Sequence, residues 1–469
     1  MSGDLGLVWF RRDLRLDDNP AWASATNGHA TVVALFVIDP ALLDKAGEFR
    51  AARLLGDVAA LDARLAEAGG RLLIRIGDPG TIVVDEALAR GVGTVYVNED
   101  VTPYATARDA AVKADLRANG IDWNAQWGTL IHEPGSVKTN AGGLSQVFTP
   151  FHRAWEKVPW LPWPTPGSAA LVADAGEALP VAAVAYPLVE GLAGDAALPG
   201  EIGAIARLEL AAERADGYDD NRNFPAMTGT SELSADLRFG TISPRTAADV
   251  IGTATPGRAA LVRQFAWRDW YAHLLHATPS LVSAPMKPRY AAIAWRDDEE
   301  DFEAWSTGRT GFPFVDAGMR QLLATGWMHN RVRMVTASFL VKNLLIDWRR
   351  GERFFRHLLV DADVPQNVGN WQWVAGTGPD ASPYNRVFNP VLQGQRFDAG
   401  GDYIRRWIPE LAGLGNKAIH EPWDVGPLEL AAAGVILGDN YPSPVVDLAT
   451  SRARVLAAYA AVRDETPSD

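Results

Sequence analysis

The chain has 469 residues, and 48% of them are hydrophobic, so it is long enough for two or three domains with buried cores. A net charge of −13 at pH 7 argues against a uniformly basic nucleic-acid-binding protein, and the absence of cysteine excludes disulfides, thiolate metal sites and a cysteine nucleophile. No apolar run approaches the roughly 18 residues that span a bilayer, and no signal peptide is recognisable, so we expect a cytoplasmic protein.

Residues 1–134 alternate short β-rich runs with helical patterns, which predicts a parallel, Rossmann-like sheet with crossover helices. The predicted strands are Leu5–Phe10, Thr31–Ile38, Arg71–Arg75 and Thr94–Asn98. No glycine-rich GxGxxG motif follows the first strand, so this is not a typical NAD-binding domain.

The remainder of the chain divides at about residue 200. Residues 135–200 contain several prolines and an Ala/Gly/Pro/Val-rich stretch, which predicts a long interdomain linker. Residues 201–469 are mostly helical in pattern. We therefore predict an α/β N-terminal domain that is joined by a long linker to an all-α domain large enough to enclose a cofactor.

Two segments of the helical region carry polar groups that could bind a ligand. The hydroxyls around Thr230-Ser231-Glu232-Leu233-Ser234 could hold a phosphate, although a plain helix N-cap is the alternative. Gln264, Trp267 and Arg268 share one helix face, which suits a flat heteroaromatic ligand with an anionic part, although an ordinary amphipathic helix would look the same. No set of residues has the spacing of metal ligands, and we expect no metal.

Two later segments are also candidates. Asn330 and Met334 lie one helical turn apart, so they could contact a base edge together, with Arg331 on a phosphate; a solvated basic face is the alternative. Asp361 and Asp363 suggest ion pairing, for example with Arg333. Paired catalytic carboxylates, as in glycosidases, fit the surrounding Trp and Asn residues less well.

Four long motifs occur in order along the chain: LVWFRRDLRLDDNPAW (7–22), RNFPAMTGTSELSADLRFGTISPR (222–245), GWMHNRVRMVTASFLVKNLLIDWRRGERFF (326–355) and NWQWVAGTGPDASPYNRVFNP (370–390). They closely resemble the photolyase/cryptochrome family, and bacterial class I cyclobutane pyrimidine dimer photolyases in particular. The resemblance covers nearly the whole chain. It implies an antenna-binding N-terminal domain and a helical domain that binds FAD and the DNA lesion.

The resemblance also implies the residues that bind FAD. Tyr218 and the segment Thr230–Ser234 would hold the phosphates and the ribityl chain, Asn367 would lie near flavin N5, and Arg333 would pair with Asp361 beside the ring. The full set implied for FAD is Tyr218, Thr230, Ser231, Glu232, Leu233, Ser234, Gln264, Arg268, Asn330, Arg333, Asp361, Asp363 and Asn367.

The implied reaction is light-driven repair of cyclobutane pyrimidine dimers by an electron from excited FADH⁻, with the dimer flipped out of the duplex. The residues implied at the lesion are Gln264, Trp267, Asn330, Met334 and Trp373, with Arg331 on a nearby phosphate. The resemblance implies UV-damaged DNA as the partner, and we expect a monomer. Basic residues outnumber acidic ones between Arg331 and Arg406, although ordinary variation in composition is the alternative.

Two further features follow from the resemblance. Trp371, Trp348 and Trp295 match the electron-transfer tryptophans, which would carry electrons to photoexcited oxidised flavin. Tyr104 and Ala105 stand where folate-binding relatives have Asn-Glu, so we expect 8-hydroxy-5-deazaflavin as the second chromophore, with no antenna, folate or a flavin as alternatives. The antenna residues would be Phe36, Asp39, Arg53, Asp100 and Tyr104.

One position departs from the family pattern. Class I dimer photolyases usually carry Glu where this chain has Gln264, which keeps a donor but cannot ionise. Gln264 therefore leaves open a cryptochrome-like photoreceptor with weak or no repair, or repair of 6-4 photoproducts. Asn330 and Met334, which replace the histidine pair of 6-4 photolyases, favour cyclobutane dimers. A flavin oxidoreductase unrelated to light would need a nicotinamide site, and the sequence shows none.

Overall fold

The computed structural model describes residues 5–139, 142–174, 176, 177, 179, 192–380 and 383–464. The chain forms two compact units. The first comprises Met1–Asp219, Ser231–Pro279 and Val360–Pro365, and the second comprises Asp220–Thr230, Ser280–Leu359 and Gln366–Asp469. Each unit is thus built from separated stretches of chain, and the domain boundaries inferred from the sequence stay a prediction.

A parallel sheet forms the N-terminal part of the first unit, with strand order β3-β2-β1-β4-β5 and β6 paired with β2. Its strands are β1 (Leu5–Phe10), β2 (Thr31–Ile38), β3 (Leu72–Ile76), β4 (Thr94–Asn98), β5 (Asp122–Gln126) and β6 (Ala170–Leu171). The parallel α/β architecture is confirmed. The third strand lies one residue later at each end than predicted, and Arg71, which donates its backbone N–H to Val172 and pairs with Asp62 at 2.6 Å, lies just before it.

Five helices follow or connect these strands: α1 (Pro20–Gly28), α2 (Pro40–Leu43), α3 (Glu48–Glu67), α4 (Pro79–Arg90) and α5 (Pro103–Ala118). Four of them begin with proline directly after a side chain that accepts a backbone N–H, namely Asn19, Asp39, Asp78 and Thr102. Alternate residues of the central strands bury on opposite faces: Val8 and Phe10 belong to one apolar core, and Leu7 and Trp9 to the other. Burial on both faces is typical of a parallel sheet covered by helices.

The rest of the chain is helical, which confirms the predicted fold class. The helices from residue 135 to residue 279 are α6 (Phe148–Trp155), α7 (Gly200–Arg214), α8 (Tyr218–Asn221), α9 (Ser234–Phe239), α10 (Pro244–Ile251) and α11 (Pro256–Ala277). Helix α6 and strand β6 lie inside the segment that was predicted as a linker; residues 180–191 of that segment are outside the described residues.

The later helices are α12 (Glu299–Ser306), α13 (Pro313–Thr325), α14 (Asn330–Ser338), α15 (Trp348–Leu358), α16 (Val364–Ala375), α17 (Pro390–Phe397), α18 (Asp402–Trp407), α19 (Pro427–Ala432) and α20 (Leu448–Asp464). A π-helical turn at Phe339–Asn343 follows α14. Within the described ranges, no helix combines the length and apolar character needed to cross a membrane, and no group of three His, Asp or Glu side chains could hold a metal ion.

Candidate functional site

The segment that precedes α9 contains a strained residue. Glu232 has φ = 59°, a left-handed conformation that is uncommon outside glycine and that persists mainly at functional sites. Burial raises the pKa of its carboxyl, and the charge of Arg214 opposes this. The N-cap position of α9 is Leu233, which makes no side-chain cap hydrogen bond. The alternative that these hydroxyl groups simply cap a helix is therefore wrong for α9.

A buried ion-pair network holds α9 in the first unit. Asp236 accepts from Arg53 at 2.5 Å, from Arg207 at 2.6 Å and from the Thr241 hydroxyl at 2.9 Å. Arg53 also donates to Asp57 at 2.6 Å. Burial would raise the pKa of Asp236, but attraction to Arg53 and Arg207 lowers it to about 2. Arg53, which the sequence analysis assigned to the antenna site, is thus engaged in ion pairs with Asp57 and Asp236.

Helix α11 carries three of the predicted site residues. The Gln264 amide nitrogen donates to the main-chain oxygen of Ala260 at 2.9 Å. The Trp267 indole stacks on Phe148, with ring centroids 3.6 Å apart and planes at 10°. Arg268 is buried and donates to the main-chain oxygens of Thr129 and Leu237. Its burial lowers the pKa of the guanidinium.

Asp363 forms an ion pair with a residue at the carboxyl edge of the sheet. Arg12, which follows β1, donates to Asp363 at 2.5 Å and to Asp100, which follows β4, at 3.0 Å. Burial would lower the pKa of Arg12, but attraction to Asp363 and Asp100 raises it above its usual value. Nearby, Arg238 donates to the main-chain oxygen of Ala362 at 2.6 Å. The loop that carries the buried residues Asp361 and Asp363 is therefore held by two arginines.

In the second unit, α14 presents the predicted lesion contacts on one face. Asn330 is exposed, and its amide nitrogen lies 3.9 Å from the Met334 sulfur. Arg331 donates to Asn223 at 2.6 Å and lies over the Phe397 ring, 4.4 Å from its centroid. Burial lowers the pKa of Arg331, and the positive charges of Arg396 and Arg222 add to this. Asn330, Arg331 and Met334 are thus brought together beside a cluster of positive charge.

Two other predicted residues of the second unit have defined partners. The Arg333 Nε atom donates to the main-chain oxygen of Met328 at 2.7 Å. The Asn367 amide nitrogen donates to the main-chain oxygen of Glu352 at 3.0 Å and to its carboxylate at 2.9 Å. Burial raises the pKa of that carboxyl, which Arg356 opposes. Because both Glu352 atoms accept, the Asn367 nitrogen must face them, and Oδ1 points away from them.

The tryptophans of the second unit differ in burial. Trp371 and Trp348 are 2% and 1% exposed, whereas Trp295 and Trp373 are half-buried. Trp371 contacts Phe355, with centroids 5.0 Å apart, and Trp295 contacts Tyr459 edge-on at 6.2 Å. Trp348 begins α15, and Trp371 and Trp373 lie on α16.

Only part of the predicted antenna set is brought together. The Tyr104 hydroxyl donates to Asp39, and Arg108 lies over the rings of Tyr104 and Trp9. Burial, followed by the bond to Asp39, raises the pKa of Tyr104 to about 12. Phe36 is buried in the sheet core, while Arg53 and Asp100 have the ion-pair partners described above.

Sequence reasoning missed Arg12, Arg238 and Glu352, which hold predicted site residues in place. All three lie inside the quoted motifs. Arg12 also lies two residues after the first strand, and the carboxyl edge of a parallel sheet is where ligand-binding side chains collect.

The comparisons with known proteins identify the family. A model described as the FAD binding domain of DNA photolyase matches residues 261–461, and one described as DNA photolyase matches residues 6–167. The chain belongs to the DNA photolyase family. The predicted resemblance to photolyases is confirmed, and class I membership stays a prediction.

Relatives cover nearly the full chain. A deoxyribodipyrimidine photo-lyase of Agrobacterium fabrum is 43% identical, over 98% of each chain. The crystal structure of a class III photolyase from Agrobacterium tumefaciens is 40% identical with a TM-score of 0.90, over 98% of each chain. An archaeal photolyase structure from Sulfolobus tokodaii, described as holding two FAD molecules, is 32% identical with a TM-score of 0.85, over 97% of this chain and 100% of that one.

The donor set of the first unit fits an FAD cofactor, which is anionic. Arg238 donates to a carbonyl oxygen, and burial, followed by repulsion from Arg12, lowers its pKa to about 9. A nearby anion stabilises the charged form of a guanidinium that burial destabilises. Arg268 is similarly buried among carbonyl oxygens. These residues therefore suit the FAD that photolyases of this family bind.

Proposed function

We propose that this chain is a light-driven DNA photolyase that splits cyclobutane pyrimidine dimers. The observation that carries the proposal is the contact between the exposed Asn330 amide and Met334 on α14, beside Arg331. An amide can donate to and accept from a pyrimidine edge, a thioether makes an apolar contact, and the guanidinium can bind a phosphate. This combination suits a flipped-out pyrimidine pair. Trp267 and Trp373 are the aromatic residues that we propose for binding the lesion, and Phe148 covers one face of the Trp267 ring.

FAD, when bound, supplies the electron from its excited reduced form. We propose that it is held by the residues named from the family motifs, including Arg268, Asp363 and Asn367. The Asn367 nitrogen is engaged by Glu352, so Oδ1 is the atom that accepts. A reduced flavin carries N–H at N5, which matches an acceptor. The arginines near Asp363 favour the negative charge of the reduced ring.

We propose that Trp371, Trp348 and Trp295 carry electrons to photoexcited oxidised flavin. The two deeply buried rings and the half-buried Trp295 support a path from the interior to the surface. No acid, base or nucleophile is needed for this chemistry.

For the second chromophore we propose 8-hydroxy-5-deazaflavin at the carboxyl edge of the sheet. The Tyr104–Asp39 pair and the Arg108 guanidinium above Trp9 support a flat anionic pigment there. A flavin is the main alternative, because the archaeal relative is described as holding a second FAD molecule. The absorption spectrum and mass of the pigment extracted from purified protein distinguish them.

The test of repair uses a thymine-dimer oligonucleotide with reduced protein, in blue light and in the dark. A 6-4 photoproduct oligonucleotide is the second substrate. We expect light-dependent loss of the cyclobutane dimer alone. An Asn330→Ala variant is expected to repair poorly, whereas an Asn416→Ala variant, changed at an exposed position elsewhere in the second unit, is expected to repair like wild type. Binding of FAD without repair of either lesion would contradict the proposal and favour a photoreceptor.

A further inference from the structure

The Arg12 guanidinium joins two carboxylates that the sequence assigned to different ligands. One arm donates to Asp363, in the flavin set, at 2.5 Å, and the other donates to Asp100, in the antenna set, at 3.0 Å. All three side chains are largely shielded from solvent. A charge in such surroundings acts strongly on its neighbours, because little water screens it. The three residues therefore form one electrostatic unit.

The backbone fixes this unit in place. Arg12 follows β1 and Asp100 follows β4, at the point where the strand order reverses. The Arg12 Nε atom reaches the main-chain oxygen of Arg238, and Asp100 also accepts from the Thr102 amide at 2.9 Å. A side chain at Gly240 (φ = 67°) would overlap the main-chain oxygen of Arg12. The Arg12 main chain is thus closely packed, and each of its three guanidinium nitrogens has a hydrogen-bond partner.

The Asp100 carboxylate is engaged in an ion pair with Arg12. Burial would raise the pKa of Asp100, but attraction to Arg12 lowers it below its usual range, so the carboxylate is charged at neutral pH. It offsets part of the Arg12 charge. The part of the Arg12 charge that Asp100 does not neutralise attracts Asp363 and affects a ligand bound beside Asp363.

We propose that Arg12 and Asp100 together set the reduction potential of the flavin through Asp363, with Arg12 as a positioning residue. The proposal rests on the proposed binding of FAD at Asp363. Reduced flavin in this family is anionic, so positive charge nearby stabilises it relative to the oxidised form. Arg12 raises the potential, and Asp100 lowers it by partly neutralising Arg12.

The two partners of the one ion pair are therefore expected to have opposite effects. Arg12→Gln removes positive charge, so the potential of bound FAD falls. Asp100→Asn removes negative charge, so the potential rises, and the new amide oxygen can still accept from the Thr102 amide. At a fixed applied potential, the ratio of reduced to oxidised flavin is expected to change on the order of tenfold in each direction.

The measurement is spectroelectrochemical titration of the FAD-loaded full chain. A purely structural role for the pair predicts shifts of the same sign, since either substitution breaks the same contact. Asp109→Asn is the matched control, because Asp109 pairs with Arg11 and not with Arg12. It is expected to leave the potential unchanged. If Arg12→Gln does not fold, the comparison of Asp100→Asn with Asp109→Asn still gives the sign of the shift in reduction potential.

Shifts of the same sign in both variants, or an unchanged potential in Asp100→Asn, would overturn the proposal. A wild-type chain that binds no FAD would contradict the proposed function itself, and this proposal with it. The two failures are distinguishable, because the first requires a normal flavin spectrum.

Discussion

Arg53 on α3 and Asp236 on α9 form a buried ion pair, with 2.5 Å between Nη2 and Oδ1. The side chains are 3% and 1% exposed. Arg207 on α7 shares the same carboxylate, so three helices of the first unit meet at one charge. Because α9 begins where the segment Thr230–Ser234 ends, this charge also holds the proposed FAD phosphate segment in place.

Removal of this carboxylate is expected to destabilise the fold. Asp236→Asn leaves two guanidiniums without their shared counter-charge in a buried site, which typically costs about 3–5 kcal/mol. Urea unfolding at pH 7 measures the loss. Glu67→Gln, which breaks an exposed pair with Arg64, is the control and is expected to change the free energy of unfolding little. If Asp236→Asn changed the free energy of unfolding as little as this control, the buried ion pair would not stabilise the fold.

Acid should remove the stabilisation that the Asp236 carboxylate gives the fold, because it protonates that carboxylate. The folded pKa of Asp236, about 2, lies below the unfolded value of about 3.9. Its stabilisation is therefore fully present above about pH 4 and is lost as the pH falls toward 2. The free energy of unfolding of wild type is expected to fall more steeply with acid than that of Asp236→Asn. Parallel curves would show that Asp236 does not contribute.

The sequence predicted the helices and strands whose hydrophobic pattern is clear, but it did not predict which side chains bind one another across the fold. Three strands of the sheet were predicted at their observed bounds, and one-turn spacing placed Asn330 and Met334 side by side. Strand β5 was missed because Asp122, Asn124 and Gln126 make it polar. Periodicity indicates which face of a helix is buried but not what lies opposite. Arg12 and Asp363 are 351 residues apart, so no local pattern could pair them.

Gln264 is expected to limit repair. One hydrogen of its amide nitrogen is bound by the main-chain oxygen of Ala260, so the groups left for the lesion are a neutral oxygen and one N–H. Gln264→Glu supplies an ionised acceptor, and hydrogen bonds to charged groups contribute about 1.5–3 kcal/mol. Affinity for dimer DNA over undamaged DNA is expected to rise about tenfold or more in the variant, by the relation that 1.4 kcal/mol is tenfold. Gln264→Ala is the control, and equal affinities in all three proteins would exclude a role in recognition.

Gly351 is expected to leave the space that the Trp371 indole occupies. A Cβ at Gly351 would overlap the indole, lying 2.6 Å from Cζ3 and 2.6 Å from Cδ2 of Leu340. Overpacking of this kind usually costs about 1–3 kcal/mol, and it would displace the ring. Gly351→Ala should therefore slow photoreduction of oxidised FAD, measured by flavin bleaching under blue light. Gly415→Ala, where a Cβ meets open space, is the control. Unchanged photoreduction would argue against Trp371 as a residue of the electron path.

Lys342 is a buried cation whose effect on stability depends on pH. It lies on the π-helical turn, donates to the main-chain oxygens of Ala375 at 3.1 Å and Tyr384 at 3.3 Å, and lies 4.0 Å from the Tyr459 ring centroid. Burial lowers its pKa to about 7. The unfolded chain keeps the proton to about pH 10.4, whereas the folded chain releases it near neutrality. Between these values the unfolded state binds more protons, so the stability of the fold rises with pH.

The wild-type free energy of unfolding is thus expected to increase from pH 7 to pH 9, by at most about 1.4 kcal/mol per pH unit from this group. Lys342→Met removes the proton and should lose this rise. Lys417→Met, at an exposed lysine, makes the same change in net charge and should keep it. Urea unfolding at three pH values compares the proteins. If Lys342→Met retained the wild-type slope, the rise would have to come from other groups, because a methionine at this position binds no proton at any of these pH values.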